Sequence, residues 1–253
     1  MKVSVVIATY KGAERLERLL PTLWESQGPG AVVLPPLEVL VFDDGSPEAD
    51  ALAIRNVVAN SRCCLGRSPM RNEANRGYAH CVRDAVAAST GEVVLLLDDD
   101  VRIPPGFFGT LRALMTSMPN VGVLSWRSEG KNPGQSKVSL SGYLEPATQI
   151  ASYCYAFRRS VWDELGGFDA RYKFYCIDSD FALRATLAGH PSYRVWWPLV
   201  PHDEHGGAVD TVGFSRQAVG QADVALFQEK WGASGDEMER RALASLLARA
   251  DAV

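Results

Sequence analysis

Short runs of consecutive apolar residues alternate with stretches whose apolar positions recur every three or four residues. Val3 to Thr9 (Val-Ser-Val-Val-Ile-Ala-Thr) reads as a buried strand. Leu16, Leu19, Leu20 and Leu23 follow at helical spacing, with Glu14 and Arg18 placed to pair on the exposed face. Leu37 to Phe42 is a second apolar strand that stops at Asp43-Asp44-Gly45-Ser46, and a polar helix is expected from there to about Asn60. Cys63 to Leu65 reads as a short strand. Gly77 opens a helix with Tyr78, Val82, Ala85 and Val86 on one face. Val93 to Leu97 is an unbroken apolar run, the pattern of a central parallel strand covered on both faces. Pro104-Pro105 begins a helix carrying Phe108, Leu111, Met115 and Met118, and Val121 to Trp126 is the next strand.

This alternation over the first 126 residues implies right-handed βαβ crossovers and a parallel sheet, an α/β fold. The second half is less regular. Ser128 to Ser136 is rich in Gly, Lys, Asn, Pro and Ser and reads as a mobile loop; residues 137–157 look like strands. Short helices and a strand from Tyr193 to Trp197 follow. From about Asp236, Leu243, Leu246, Leu247 and Ala250 share one helical face, suited to packing on their own domain, a homodimer contact or a peripheral membrane contact.

The length, 253 residues, suits one α/β domain with a sizeable core. A net charge of −4 without a long basic block argues against nucleic acid as the main partner. Cys63, Cys64, Cys81, Cys154 and Cys176 are odd in number and lack Cys-x-x-Cys spacing, so neither a disulfide framework nor a zinc site is expected. They read as small core residues in a protein of the reducing cytoplasm. Met1-Lys2-Val3 runs straight into a strand, so no signal peptide is expected. No apolar run reaches the roughly 18 residues of a membrane span, leaving peripheral association at an inner membrane face as the membrane contact to expect.

Three polar clusters follow apolar strands: Thr9-Tyr10-Lys11, Asp43-Asp44-Gly45-Ser46 and Asp98-Asp99-Asp100. In open α/β sheets that carboxyl edge is where ligands bind. Adjacent carboxylates repel unless something positive neutralises them, and a hard divalent cation does so while also binding diphosphate oxygens. Asp98 and Asp100 suit that role; a solvated acidic turn or a helix cap is the plainer alternative. Asp43-Asp44-Gly45-Ser46 is either a turn or a nucleoside-recognition element whose carboxylate accepts a hydrogen bond from a pyrimidine imide.

Five segments in order carry a specific resemblance: Val3 to Gly12, Asp43-Asp44-Gly45-Ser46, Asn75-Arg76-Gly77-Tyr78, Leu97-Asp98-Asp99-Asp100 and Gly166-Gly167-Phe168-Asp169. Together they resemble the family 2 glycosyltransferases. The resemblance implies a GT-A fold: a Rossmann-like, mostly parallel sheet flanked by helices, with a smaller mixed half. It further implies inverting, hexosyltransferase-like chemistry, Mg2+ or Mn2+, and a nucleotide-diphosphate sugar donor, UDP- or dTDP-linked. Residues 1–126 would bind the donor; residues 127–253 would bind the acceptor and hold the base. By the same resemblance Ala8, Thr9 and Tyr10 line the base and ribose pocket, and Asp44, with Asp43, reads the base. Asn75 and Gly77 shape the flanking loop, Asp98 lies near ribose or metal, Asp99 is the variable middle position, and Asp100 is the principal metal ligand. The acceptor could be a glycan, a lipid-linked intermediate, a peptide or a small molecule.

Ala8 stands where the family often has Pro, Lys11 where it often has Asn, and Arg83 where Asn is common; Arg83 reaches either a phosphate or a carboxylate. Phe174 to Phe181 resembles the family's Glu-Asp-x-Asp-Leu segment with Ile177 replacing Glu, which makes Asp178 the expected base and Asp180 the second candidate, with a helix-capping role as its alternative. His202 and His205 are candidates for a late histidine completing the metal shell. Trp196 and Trp197 face either the acceptor or the core. Two other functions remain: a nucleotidyltransferase, for which Thr9-Tyr10-Lys11-Gly12 is a poor phosphate loop, and a nucleotide-sugar binding protein without turnover. A dehydrogenase is not expected, since no Gly-x-Gly-x-x-Gly follows the first strand.

Overall fold

Alternating side chains of the central strands enter two separate cores. Val5, Ile7, Leu95 and Leu97 pack on one face of the sheet, and Val6, Val94 and Leu96 on the other. That is why the strand after Glu92 shows no polar alternation: neither of its faces meets water. The structure is a computed structural model and describes residues 1–26, 37–64, 68–128, 144–203 and 216–250.

The strands are β1 (Val3–Thr9), β2 (Glu38–Asp43), β3 (Met70–Arg71), β4 (Val93–Asp98), β5 (Val123–Trp126), β6 (Leu144–Pro146), β7 (Cys154–Arg158) and β8 (Tyr193–Val195). They form one eight-stranded sheet in the order β3-β2-β1-β4-β7-β5-β8-β6. β1, β2, β3 and β4 pair in parallel; β7 inserts antiparallel between β4 and β5, and β6 is antiparallel to β8. The architecture is the expected α/β sheet, mostly parallel.

The helices are α1 (Ala13–Glu25), α2 (Glu48–Asn60), α3 (Tyr78–Ala88), α4 (Phe107–Ser117), α5 (Arg159–Leu165), α6 (Ile177–Ala188), α7 (Arg216–Trp231) and α8 (Gly235–Ala250). Leu16, Leu19, Leu20 and Leu23 of α1 are all buried with Ile54 and Val58 of α2 and Phe107, Phe108, Leu111 and Met115 of α4. The second face takes α3, α5 and α6, with Val82, Val161 and Phe181 among its buried residues.

Two readings of the sequence need correction. Cys63 and Cys64 lie in a turn, and β3, the strand that pairs with β2, is Met70–Arg71 instead. Two adjacent small residues satisfy the composition of a strand, but the pairing edge of β2 is reached only after the chain has turned. β8 stops at Val195, short of Trp197. The C-terminal helix buries Met238 and Ala242 against α6, while Leu243 and Leu246 are half-buried. Of the loop expected from Ser128 to Ser136 and the strands expected in 137–157, residues 129–143 lie outside the described residues.

The C-terminal helices secure the start of α6. Asp223 on α7 accepts hydrogen bonds from the backbone N–H groups of Lys173, Phe174 and Tyr175, at 3.1, 3.0 and 2.8 Å. Asp180, fully buried, meets Arg184 Nε at 2.9 Å, Lys230 Nζ at 2.8 Å and Trp231 Nε1 at 3.0 Å. Removing one member of such a buried network leaves the others charged without a partner. Asp180→Ala is therefore expected to lower unfolding stability by about 3–5 kcal/mol in urea titrations; a change under about 1 kcal/mol, the scale of an exposed pair, would show that the network does not hold α6.

Candidate active site

The register of the sheet brings the predicted clusters together. Ala8 pairs with both Phe42 and Asp98, and Thr9 pairs with Asp43. The ends of β1, β2 and β4 therefore stand side by side at one edge.

At that edge Asp43 closes its own turn, accepting from the Ser46 N–H at 3.0 Å and from Arg71 Nε at 3.2 Å. Asp44 organises the loop before α3: it accepts from Asn72 Nδ2 at 2.7 Å and from the N–H groups of Arg76 at 3.0 Å and Gly77 at 2.9 Å. Gly45 sits between them at φ 77°, and a Cβ there would lie 2.4 Å from the Ala74 carbonyl carbon, so only glycine fits. Lys11 also has positive φ, 52°, and its N–H donates to Ser46 Oγ at 2.9 Å. Asn tolerates that left-handed conformation better than Lys, which gives a backbone reason for Asn at this position in related sequences.

A narrow cleft of about 50 Å³ opens here, lined by Ala8, Thr9, Tyr10, Asp44, Asn75 and Asp99, together with Tyr78, Cys81 and Phe174. Six of the residues expected around a nucleoside thus meet at one place. Their side chains are not equally available. Asp99 accepts from Arg15 Nε at 2.7 Å and Nη2 at 3.0 Å and from Thr9 Oγ1 at 2.5 Å, so both its oxygens are engaged. Gly12 lies against this pair; a Cβ would come within 2.2 Å of the Asp99 carboxylate. Arg83 is turned away from the cleft and donates to the carbonyls of Gly166, at 2.9 Å, and Phe168, at 2.6 Å. It ties the Gly166-Gly167-Phe168 loop to α3. A larger cavity, about 460 Å³, lies between α1 and α2 beside Trp24 and Val57, away from the aspartates.

Asp98, Asp100 and His202 each offer one ligand atom, and these atoms lie within 4.8 Å of one another. His202 Nε2 is 3.2 Å from Asp100 Oδ1. An isolated antiparallel bridge between Val101 and His202 makes the meeting, reinforced by Asp203 N–H to Asp100 O at 2.9 Å and Arg102 N–H to Pro201 O at 3.0 Å. Tyr153 stacks on the imidazole at a centroid distance of 4.6 Å, and its carbonyl accepts from the Asp98 N–H at 3.0 Å. Burial, then the neighbouring Asp100, push the Asp98 carboxyl up to about 7. A carboxyl held near neutrality beside a second one lacks positive charge, and two hard oxygen donors with one imidazole fit a divalent cation of the Mg2+ or Mn2+ kind. His205 lies outside the described residues.

Asp178 sits in the first turn of α6. Its Oδ1 accepts from the Ser179 N–H at 2.8 Å and its carbonyl accepts from Tyr155 Oη at 3.0 Å. Burial pushes its carboxyl up to about 6, opposed by hydrogen bonds from Ser179 and Ser152. Asp98 and Asp178 both act on the buried Tyr78 phenol, which burial and then these two charges push well up. The first carboxylate of the Asp178-Ser179-Asp180 run thus lies within electrostatic reach of Tyr78 and Asp98, while the second, Asp180, is fully buried with its cationic partners.

Arg15, Asn72, Tyr153 and Phe174 are parts of the site that the sequence did not indicate. Arg15 and Asn72 partner the aspartates, Tyr153 orients His202 and Phe174 lines the cleft. Only Arg15 carried a signal, a cation in the first turn of a helix that starts beside the triplet.

The match to Glycosyl transferase family 2 runs over residues 4–181. The chain is 27% identical over 190 residues to the glucosyl-dolichyl phosphate glucuronosyltransferase of Haloferax volcanii, covering 67% of this chain and 56% of that protein. It is 24% identical over 234 residues to the N-acetylglucosaminyl-diphospho-decaprenol L-rhamnosyltransferase of Mycobacterium tuberculosis, covering 76% and 72%. The chain spans between 24% and 56% of the length of the first curated relatives it matches. Among solved structures, the mannosyltransferase PcManGT from Pyrobaculum calidifontis, in complex with GDP-Man and Mn2+, superposes with a TM-score of 0.66 at 21% identity, over 100% of this chain and 76% of that one. With the family match extending from the first strand to the helix that carries Asp178, the chain belongs to glycosyltransferase family 2.

Proposed function

We propose that this protein is an inverting, metal-dependent glycosyltransferase that moves a sugar from a nucleotide-diphosphate donor to a lipid-linked acceptor. The observation that carries it is the meeting of Asp98, Asp100 and His202 at the edge where the nucleoside cleft opens. A UDP- or dTDP-sugar is the donor that the family resemblance favours, and a GDP-sugar is the competing one. The lipid-linked acceptor rests on the acceptor chemistry in the names of the two relatives. Among the described residues no helix is long and apolar enough to cross a membrane, so such an acceptor would be met at a membrane surface.

Asp98, Asp100 and His202 would hold Mg2+ or Mn2+. When bound, that ion neutralises the charge that grows on the leaving diphosphate. Ala8, Thr9, Tyr10 and Asn75 flank the nucleoside, and Asp44 keeps the Arg76–Gly77 backbone in place beside it. Asp178 takes the proton from the acceptor hydroxyl as its oxygen attacks the anomeric carbon opposite the leaving diphosphate. A carboxyl at about 6 is ionised at neutral pH yet basic enough to accept that proton. Asp180, held by two cations, is not free to do so. A nucleotidyltransferase would use cations in the loop after β1, but Arg15 is spent on Asp99 and Lys11 lies over the Tyr10 ring at 5.4 Å.

Asp178→Asn is expected to lower kcat by roughly 100- to 10,000-fold while donor binding, read by calorimetry, stays within about twofold. Near-wild-type turnover would remove Asp178 as the base and leave its pKa to burial alone. In the wild-type enzyme kcat should fall about tenfold per pH unit below about 6, as protonation takes the base away.

In thermal-shift measurements a nucleotide diphosphate with Mn2+ should stabilise the wild-type protein and not Asp100→Asn. Mn2+ affinity should weaken as pH falls through about 7, where Asp98 takes up its proton. Stabilisation by nucleotide that ignores both Mn2+ and Asp100→Asn would place the cation elsewhere. Binding of nucleotide sugar without hydrolysis or transfer would select the reading of a binding protein without turnover.

A further inference from the structure

A second polar cavity, about 310 Å³, adjoins the base through Ser179, the residue after Asp178. It reaches the metal-ligand cluster through Tyr153, whose ring stacks on His202. It shares no lining residue with the nucleoside cleft. Ser125, Gln149, Tyr153, Ser179 and two arginines, Arg127 and Arg194, supply its polar wall, and no carboxylate is among its described lining residues.

The two arginines differ. Arg194 is satisfied: it pairs with Glu145 at 3.2 Å and donates from Nε and Nη2 to the Gln149 carbonyl at 3.1 and 2.6 Å. Arg127 has no ion pair among the described residues, and its Nε is buried without a hydrogen-bond acceptor. Buried donors nearly always find a partner, so Arg127, whose side chain lines the cavity, is short of an acceptor among the described residues. The side chain is nevertheless held in place. Its guanidinium lies over the Trp196 ring at 5.1 Å, and Trp196 Nε1 donates to Glu145 at 3.3 Å. Its backbone is fixed on both sides, by its N–H to Val195 O at 3.0 Å and by its carbonyl to Val200 N–H at 2.9 Å. The hydroxyls of Ser125 and Ser179 are donated to the carbonyls of Ala151 and Ile150, which leaves Arg127 as the cation of the wall with no ion pair among the described residues.

We propose that this cavity takes a phosphate group of the acceptor and that Arg127 is its anchor. The inference rests on the glycosyltransferase reading with Asp178 as base, and it narrows the acceptor to a phosphate ester. A planar fork of N–H donors matches phosphate oxygens two at a time, and here it lies over the indole face with no carboxylate partner among the described residues. A phosphate seated here would place the neighbouring part of the acceptor beside Asp178, and the donor diphosphate would not compete because its cation ligands belong to the other cluster.

The test is calorimetric, on the full chain, with geranyl phosphate, geraniol and glucose 1-phosphate as probes. Asp100→Asn is used alongside wild type, so that phosphate captured by the metal cluster is removed from the reading. Both proteins should bind geranyl phosphate and not geraniol. Arg127→Gln should weaken that binding at least tenfold while Mn2+-dependent binding of nucleotide diphosphate stays within twofold. Equal affinity for glucose 1-phosphate would mark the phosphate itself as the ligand, and weaker affinity would mark a prenyl phosphate; either supports the site. If Arg127→Gln does not fold, Arg127→Met, which keeps the stem over Trp196, is read by the same criterion. Geraniol binding as tightly as geranyl phosphate, no binding of either phosphate ester, or an unchanged affinity in the Arg127 variant would overturn the proposal. Failure of the glycosyltransferase reading shows separately, as wild-type protein that binds no nucleotide diphosphate with Mn2+.

Discussion

Three consecutive carboxylates cannot share a strand end unless each finds a different environment, and this constraint shapes the site. Asp99 points back to α1, where Arg15 and Thr9 occupy both its oxygens. Asp100 meets His202 across the isolated bridge that brings residues 201–203 to the sheet. Asp98 is left without a cation and responds by holding its proton near neutrality. One pair is structural, one joins a candidate metal cluster, and the last is a charge deficit of the kind a divalent ion could fill.

The same economy operates on α6. Its first turn carries two carboxylates two residues apart, and the C-terminal helices decide between them. Asp223 gathers three consecutive N–H groups ahead of the helix, and Lys230 and Trp231 draw Asp180 inward. Asp178 is left hydrogen-bonded by Ser179 and Ser152, and burial raises its carboxyl to about 6. Ile177, which replaces the Glu of the segment that the sequence resembles, is fully buried, so this chain uses that position for packing. Residues far along the chain thus set the chemistry of a motif that looks local.

Much of the fold is legible in the amino-acid sequence alone. The apolar runs of β1, β2 and β4, the helical leucines of α1 and the punctuation by Gly45 and Gly77 follow from side-chain periodicity and backbone sterics, which depend only on neighbours in sequence. The position of Thr9, Asp44 and Asp98 at a common edge follows too, because parallel strands point their C-terminal ends the same way. What the periodicity misplaces is short: it points to Cys63 to Leu65 for β3, which lies at Met70–Arg71, since a two-residue edge strand is defined by pairing and not by pattern.

The sequence by itself determined that an α/β sheet would carry acidic clusters at its carboxyl edge, because strand period, turn chemistry and carboxylate repulsion are local properties. Only the tertiary structure decided which carboxylate is free. Asp99 is spent on Arg15, Asp180 on Lys230 and Arg184, and Arg83 on the Gly166 and Phe168 carbonyls, while Asp98 and Asp178 have no Arg or Lys ion pair among the described residues. A partner's availability is a matter of distances across 84 residues of chain for Arg15 and Asp99 and 85 for Arg83 and Phe168, and no spacing rule records it.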